Sequence, residues 1–76
     1  MSPVFALSAR ERQCLLWIAR GKTYIEVSMV LGIAYCTVKT NLDSARYKLN
    51  CASLAAATAL AVGRGILTLE EIEGPL

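Results

Sequence analysis

The segment that most restricts the fold of this chain runs from Gly32 to Leu42 and reads GIAYCTVKTNL. Before it, Thr23 is followed three residues later by Glu26, the pattern of a capping box that begins a helix. Gly32 can adopt the left-handed conformation that ends a helix, so this helix is only about two turns long. A second helix can begin near Tyr35, three residues after Gly32. The sequence therefore predicts two helices joined by a very short turn.

The second of these helices has one apolar face and one polar face. Val38, Leu42, Ala45 and Leu49 follow one another at spacings of four, three and four, which is the period of a helical face. The opposite face is polar and carries lysine and arginine. Two closely joined helices with a basic second helix predict a helix-turn-helix, whose second helix lies in the DNA major groove.

The whole chain is predicted to be all-α, a four-helix domain. The first helix starts at Ala9, because Ser8 and Glu11 match another capping box, and it ends at Arg20 before Gly21. The predicted helices are 9–20, 24–31, 35–49 and 54–63, and Thr68 with Glu71 can cap a last short turn. Residues 1–6 are predicted to be an N-terminal edge or linker, 7–67 the helical domain and 68–76 an acidic C-terminal tail.

Each helix is predicted to turn one face toward the core. Glu11 is the one charged residue among these positions, and we expect it to pair with an arginine or to cap a helix. Trp17 flanks the core side of the first helix, where a packing role is favoured over ligand stacking. The predicted inward residues are Glu11, Cys14, Leu15 and Ile18 on the first helix, Val27, Val30 and Leu31 on the second, and Ala57, Leu60 and Ala61 on the fourth.

Positive charge is concentrated in the body of the chain. The net charge is only +2, but residues 1–67 hold eight basic and three acidic side chains, a net charge of +5. This distribution fits a nucleic-acid partner. The longest apolar run, from Cys51 to Gly63, is too short to span a bilayer, and no signal segment opens the chain. We therefore expect a cytoplasmic protein that does not associate with membranes.

The residue types present disfavour several kinds of chemistry. The chain has three cysteines in no CxxC pattern and has no histidine, which argues against a zinc site and a disulfide framework. It also lacks a glycine-rich phosphate loop and a nucleophile–base pair. We expect no enzyme, no catalytic residue and no metal.

Much of the chain also resembles a known family. The matching segments are LSARER at 7–12, Leu15, WIARGKTY at 17–24, Glu26-Val27, Leu31-Gly32-Ile33, Thr37-Val38-Lys39, Leu42, Lys48-Leu49 and Gly65-Ile66-Leu67. In this combination they resemble the LuxR-type helix-turn-helix domain from Leu7 to Leu67. Trp17 and the Gly-Lys-Thr-Tyr run are most similar to the quorum-sensing branch.

The resemblance implies a DNA-binding domain of a bacterial transcription regulator. It would be the C-terminal part of a larger protein or a small stand-alone relative. Quorum-sensing regulators bind an acyl-homoserine lactone in an N-terminal domain that this chain does not contain, so no cofactor is expected here. The partners that it implies are duplex DNA, a second copy of the chain through the fourth helix, and RNA polymerase.

Candidate DNA contacts come mainly from the third helix. Lys39 can donate to guanine or to a phosphate, and Thr40 can contact thymine or a phosphate. Thr37 lies at the helix start, where backbone N–H groups can hold a phosphate. Ordinary solvated side chains are the alternative for all of these positions. The candidate DNA-binding residues are Lys22, Thr23, Cys36, Thr37, Lys39, Thr40, Asp43, Arg46 and Lys48.

The fourth helix is apolar on both sides, which is unusual for a surface helix. In the resembling family this helix forms the two-fold dimer contact. The alternative is an exposed alanine-rich helix of high intrinsic propensity. The predicted dimer interface consists of Leu54, Ala55, Thr58 and Val62.

Two departures from the family pattern bear on DNA binding. Ala34 stands where the family has a capping serine at the start of the third helix. Asp43 stands where many relatives have a basic residue or asparagine, and a carboxylate there repels phosphates unless it accepts from a cytosine amino group. These changes predict either an altered sequence preference or weakened binding. The rival function is a stand-alone anti-activator that dimerises with a related regulator through the fourth helix and does not bind DNA.

Overall fold

The computed structural model describes residues 6–75, which form five α-helices. They are α1 (Ala9–Ala19), α2 (Tyr24–Leu31), α3 (Tyr35–Leu49), α4 (Leu54–Gly63) and α5 (Leu69–Glu73). The all-α fold class is confirmed, and α1 to α4 begin and end within one residue of their predicted bounds. The predicted N-terminal edge at 1–6 lies, apart from residue 6, outside the described residues, as does residue 76 of the predicted tail.

Hydroxyl side chains begin four of the five helices in residues 6–75. Ser8, Thr23, Ser53 and Thr68 each accept a hydrogen bond from the backbone N–H three residues later. After Ser8, Thr23 and Thr68 that third residue is a glutamate, whose carboxylate accepts from the N–H of the cap residue. The predicted capping boxes are therefore confirmed, and they mark these helix starts through contacts only three residues apart.

The turn between α2 and α3 has the geometry that Gly32 predicts. Gly32 has a φ of 68°, in the left-handed region, and the N–H of Ile33 donates to the carbonyl of Ser28 at 3.1 Å. Ala34 is the N-cap residue of α3 and makes no side-chain cap hydrogen bond. The missing cap is thus confirmed, and α3 depends on its packing for order at this end.

Apolar side chains from the first four helices meet in one core. The predicted stripe of α3 is confirmed, because all four of its members are buried. Since α3 packs against α1, α2 and α4, only its polar face is left on the surface. The buried apolar residues are Cys14, Leu15, Val27, Val38, Leu42, Ala45, Leu49, Ala57, Ala61 and Leu67.

One predicted core residue of α2 is on the surface. Val30 is 48% exposed, so its inward assignment is wrong. Val27 is buried and Leu31 packs against the core, and these residues are one helical turn apart. Val30 precedes Leu31 by one residue and is therefore rotated by about 100° around the helix axis. A helix of eight residues presents one narrow face to the core, and Val30 is outside it.

The acidic end of the chain packs against α1. Arg12 forms an ion pair with Glu71 at 2.5 Å, and its Nε donates to the carbonyl of Ile66 at 2.9 Å. Arg20 donates to the backbone carbonyl of Glu71. Residues 69–73 of the predicted tail are therefore a helix that two arginines hold in place, Arg12 in α1 and Arg20 directly after it.

Some features are missing from the described residues 6–75. No helix in that range is long and apolar enough to cross a membrane. The same range contains no group of three or more histidine, cysteine or acidic side chains that could hold a metal ion. Its cysteines are all free thiols, of which Cys14 is buried, Cys36 is exposed and Cys51 is half-buried.

Candidate nucleic-acid interface

The polar face of α3 is the candidate surface for duplex DNA. The buried stripe holds α3 on the core, so the side chains on its other face are open to solvent. Cys36, Lys39 and Thr40 are exposed, and Asp43 and Arg46 are partly exposed. These five positions therefore form one continuous surface along α3.

Asp43 is bound to two cations of this face. Its Oδ1 lies 2.6 Å from Arg46 Nη2, and its Oδ2 lies 3.1 Å from Lys39 Nζ. Hydrogen bonds from Arg46 and Lys39 hold the pKa of Asp43 below its usual range. The side chains of Lys39 and Asp43 are 58% and 41% exposed, and ion pairs that are this open to water contribute little to stability. Their main effect is on the charge that the surface presents.

Arg46 is also held by the loop between α3 and α4. Its Nη1 donates to the carbonyl of Ala52 at 2.9 Å. Asn50, with a φ of 58°, ends α3 in the left-handed conformation and turns the chain so that this carbonyl faces the helix. No spacing in the sequence indicates this contact. Asn50 signals the turn, but the acceptor of the guanidinium depends on the loop that follows.

The starts of α2 and α3 lie at the same edge of the molecule. The rings of Tyr24 and Tyr35 are 5.9 Å apart between centroids and join the first residues of the two helices. Lys22 and Thr37 are exposed at these starts. The hydroxyl of Thr23 accepts a hydrogen bond from the N–H of Glu26 at 3.1 Å and therefore caps α2. Helix N-termini carry partial positive charge, which makes this edge favourable for phosphate.

Lys48 lies on another side of α3, next to the core. Its Nζ donates to Glu11 Oε1 at 2.9 Å, and Ser44 donates to Glu11 Oε2 at 2.5 Å. Glu11 is 6% exposed and also accepts from the N–H of Ser8. Burial raises the pKa of Glu11, but hydrogen bonds from Lys48, Ser44 and Ser8 outweigh it and lower the pKa to about 2.

This arrangement differs from the sequence-based prediction for both residues. The ion pair of Glu11 is made with a lysine rather than an arginine, and the capping role is confirmed. The predicted contact of Lys48 with DNA stays a prediction. DNA would have to compete with the well-buried carboxylate of Glu11 for the Lys48 ammonium. No pattern in the sequence signals this pair, whose members are 37 residues apart.

The predicted dimer residues of α4 are placed unevenly. Ala55 is exposed, whereas Leu54, Thr58 and Val62 are half-buried. Leu54 and Val62 also pack against the core, so each divides its apolar surface between the core and solvent. The exposed part of this face is mostly alanine, which lets another helix approach closely.

Comparison with known proteins identifies the family. A model of the family described as bacterial regulatory proteins, luxR family, matches residues 6–61, well over half of the chain. The chain belongs to the luxR family. The resemblance in the sequence analysis is thereby confirmed. Because luxR-family proteins are transcription regulators, the expectation that the chain is not an enzyme is confirmed as well.

Several curated luxR-family regulators are similar to this chain. The quorum sensing-dependent transcriptional regulator VjbR of Brucella ovis is 43% identical over 67 residues, covering 88% of the chain and 26% of VjbR. The quorum sensing-dependent transcriptional regulator RpaR of Rhodopseudomonas palustris is 43% identical over 63 residues, covering 83% of the chain and 26% of RpaR. The transcriptional activator protein AhyR of Aeromonas hydrophila is 38% identical over 72 residues, covering 92% of the chain and 28% of AhyR. The chain therefore spans about a quarter of the length of these relatives.

Proposed function

We propose that this chain binds duplex DNA in a sequence-specific way, with α3 in the major groove. The observation that supports this most is the division of α3 into a fully buried apolar face and an open polar face that carries Lys39 and Thr40. Lys39 would contact guanine or phosphate, and Thr40 would contact a base edge or phosphate. Lys22 and Thr37, at the adjacent helix starts, would hold the DNA backbone.

Dimerisation through α4 is the second part of the proposal. The exposed alanines of this helix favour close approach of a second copy, with Leu54, Thr58 and Val62 at the margin. A two-fold dimer places two α3 helices on one side of the duplex and reads two half-sites. The expected target is thus a two-fold symmetric DNA sequence.

The regulatory setting is inferred from the relatives. VjbR and RpaR are named as quorum sensing-dependent regulators, so we infer that this chain acts in quorum sensing, in the cytoplasm where it meets DNA. An acyl-homoserine lactone would be bound outside these 76 residues. RNA polymerase is the further partner that a transcription regulator requires.

The anti-activator is the second candidate function. The ion pairs of Asp43 with Lys39 and Arg46 favour it, because they neutralise part of the charge that DNA binding needs. The uncapped start of α3 points the same way. In this alternative the chain would pair with a related regulator through α4 and would have little affinity for DNA.

Titration into a fluorescent pool of random duplex DNA at two salt concentrations tests the two candidates. We expect salt-sensitive binding and selection of a two-fold symmetric site. Lys22→Ala should weaken binding a few-fold, by about the same factor on every sequence, since it removes a backbone contact. A folded dimer that binds no DNA at low salt would instead support the anti-activator.

A further inference from the structure

Asp43 lies between two cations on the surface that we assign to DNA. Lys39 precedes it by four residues and Arg46 follows it by three, so all three side chains share one face of α3. Each carboxylate oxygen binds a different cation, at 2.6 Å and 3.1 Å. In the unbound protein, one carboxylate thus engages the Lys39 ammonium and one side of the Arg46 guanidinium.

This arrangement affects DNA more than it affects the fold. The paired side chains are partly open to solvent, and ion pairs of this kind stabilise a protein little. A phosphate that approaches Lys39 or Arg46, however, competes with the carboxylate for these cations and is also repelled by it. Every DNA sequence is subject to this repulsion. A compensating contact exists only where a base edge presents an amino group to Asp43, as cytosine does in the major groove.

On the basis of the proposed function, we propose that Asp43 is a specificity-determining residue that suppresses binding to non-specific DNA. It competes with phosphates for Lys39 and Arg46 on all sequences. At the target site its carboxylate accepts a hydrogen bond from a cytosine amino group, which offsets the repulsion there. Asp43 therefore lowers affinity for random DNA more than affinity for the site.

The test compares wild type with Asp43→Asn on random duplex DNA and on a duplex selected by the wild type. Near 0.1 M salt the variant should bind random DNA about tenfold more tightly or better, because two cations become available to phosphates. Its plot of log affinity against log salt should steepen by up to about 1.8. Affinity for the selected duplex should rise less, and selection by the variant should lose the cytosine and favour adenine, which asparagine reads.

Two control variants separate this role from a simple change of net charge. Glu70→Gln removes the same charge from α5, which packs against α1, and should change both affinities less than about twofold. Asp43→Glu keeps the charge and should retain weak binding to random DNA. Circular dichroism of each variant establishes that it is folded.

The outcomes distinguish this inference from the proposed function. Equal affinity and equal salt slope for wild type and Asp43→Asn on random DNA would overturn the role of Asp43 while DNA binding stands. Failure of both proteins to bind any duplex at low salt would overturn the proposed function and this role with it. Binding by the variant alone would overturn DNA binding by the wild type and with it the specificity role of Asp43, because a protein that binds no duplex has no target site.

Discussion

Glu11 and Asp43 are two carboxylates that bind cations of the same helix on different sides. Glu11, on α1, is 6% exposed and pairs with Lys48 at 2.9 Å. Asp43, on α3 itself, has a side chain that is 41% exposed and pairs with Lys39 and Arg46 at similar distances. Burial makes the difference. Water cannot replace the partners of Glu11, whereas water or a DNA phosphate can replace those of Asp43.

The comparison shows how one helix can serve both the fold and a ligand. The Glu11 cluster joins α1 to the later turns of α3 and orients the helix. The Asp43 cluster lies on the open face and sets the charge that a partner meets. Similar ion-pair geometry therefore has a structural role at one site and a binding role at the other.

The largest effect is expected for stability. Glu11→Gln leaves Lys48 without its carboxylate in a partly buried place and weakens the bond to Ser44, which should lower the free energy of unfolding by about 2–3 kcal/mol. Urea denaturation measures this change. Asp43→Asn is the matched substitution on the open face, and it should change stability little. Equal losses in the two variants would mean that burial does not separate the two clusters.

The pH dependence of stability should also separate them. The pKa of Glu11 is about 2 in the folded protein against a usual value of 4.5, so the unfolded state binds more protons between these values. The contribution of Glu11 is therefore complete above about pH 4.5 and is lost as the pH falls toward 2. Urea denaturation across this range should show the gap between wild type and Glu11→Gln closing. A stability difference between the two proteins that stays constant with pH would contradict the lowered pKa of Glu11.

A smaller effect is expected on DNA affinity, where Lys39 and Lys48 are compared. Lys39→Ala should weaken binding about five- to tenfold near 0.1 M salt and make the salt slope shallower by about 0.9, the effect of one lost contact. Lys48→Ala should weaken binding less, because its ammonium is held by Glu11. Fluorescence anisotropy with one labelled duplex measures both. If Lys48→Ala has the larger effect, Lys48 leaves Glu11 in the complex.

Local features of the chain were predictable because their partners are near in sequence. The capping boxes at Ser8 and Thr23 join residues three apart, and the turn at Gly32 needs only the conformation of one residue. The buried stripe of α3 follows from helical spacing, since four apolar residues at that period have a single face to occupy. The same spacing correctly placed Lys39, Thr40 and Asp43 together on the opposite face.

Residue spacing and bonds within one turn are enough to predict the four main helices, their starts, the turn between α2 and α3 and the open face of α3. The packing of the helices against one another, in contrast, leaves Val30 exposed and pairs Lys48 with Glu11. The same packing brings Glu71 into an ion pair with Arg12, 59 residues away. Such contacts depend on how separate helices pack, and helical periodicity carries no information about the distance between elements.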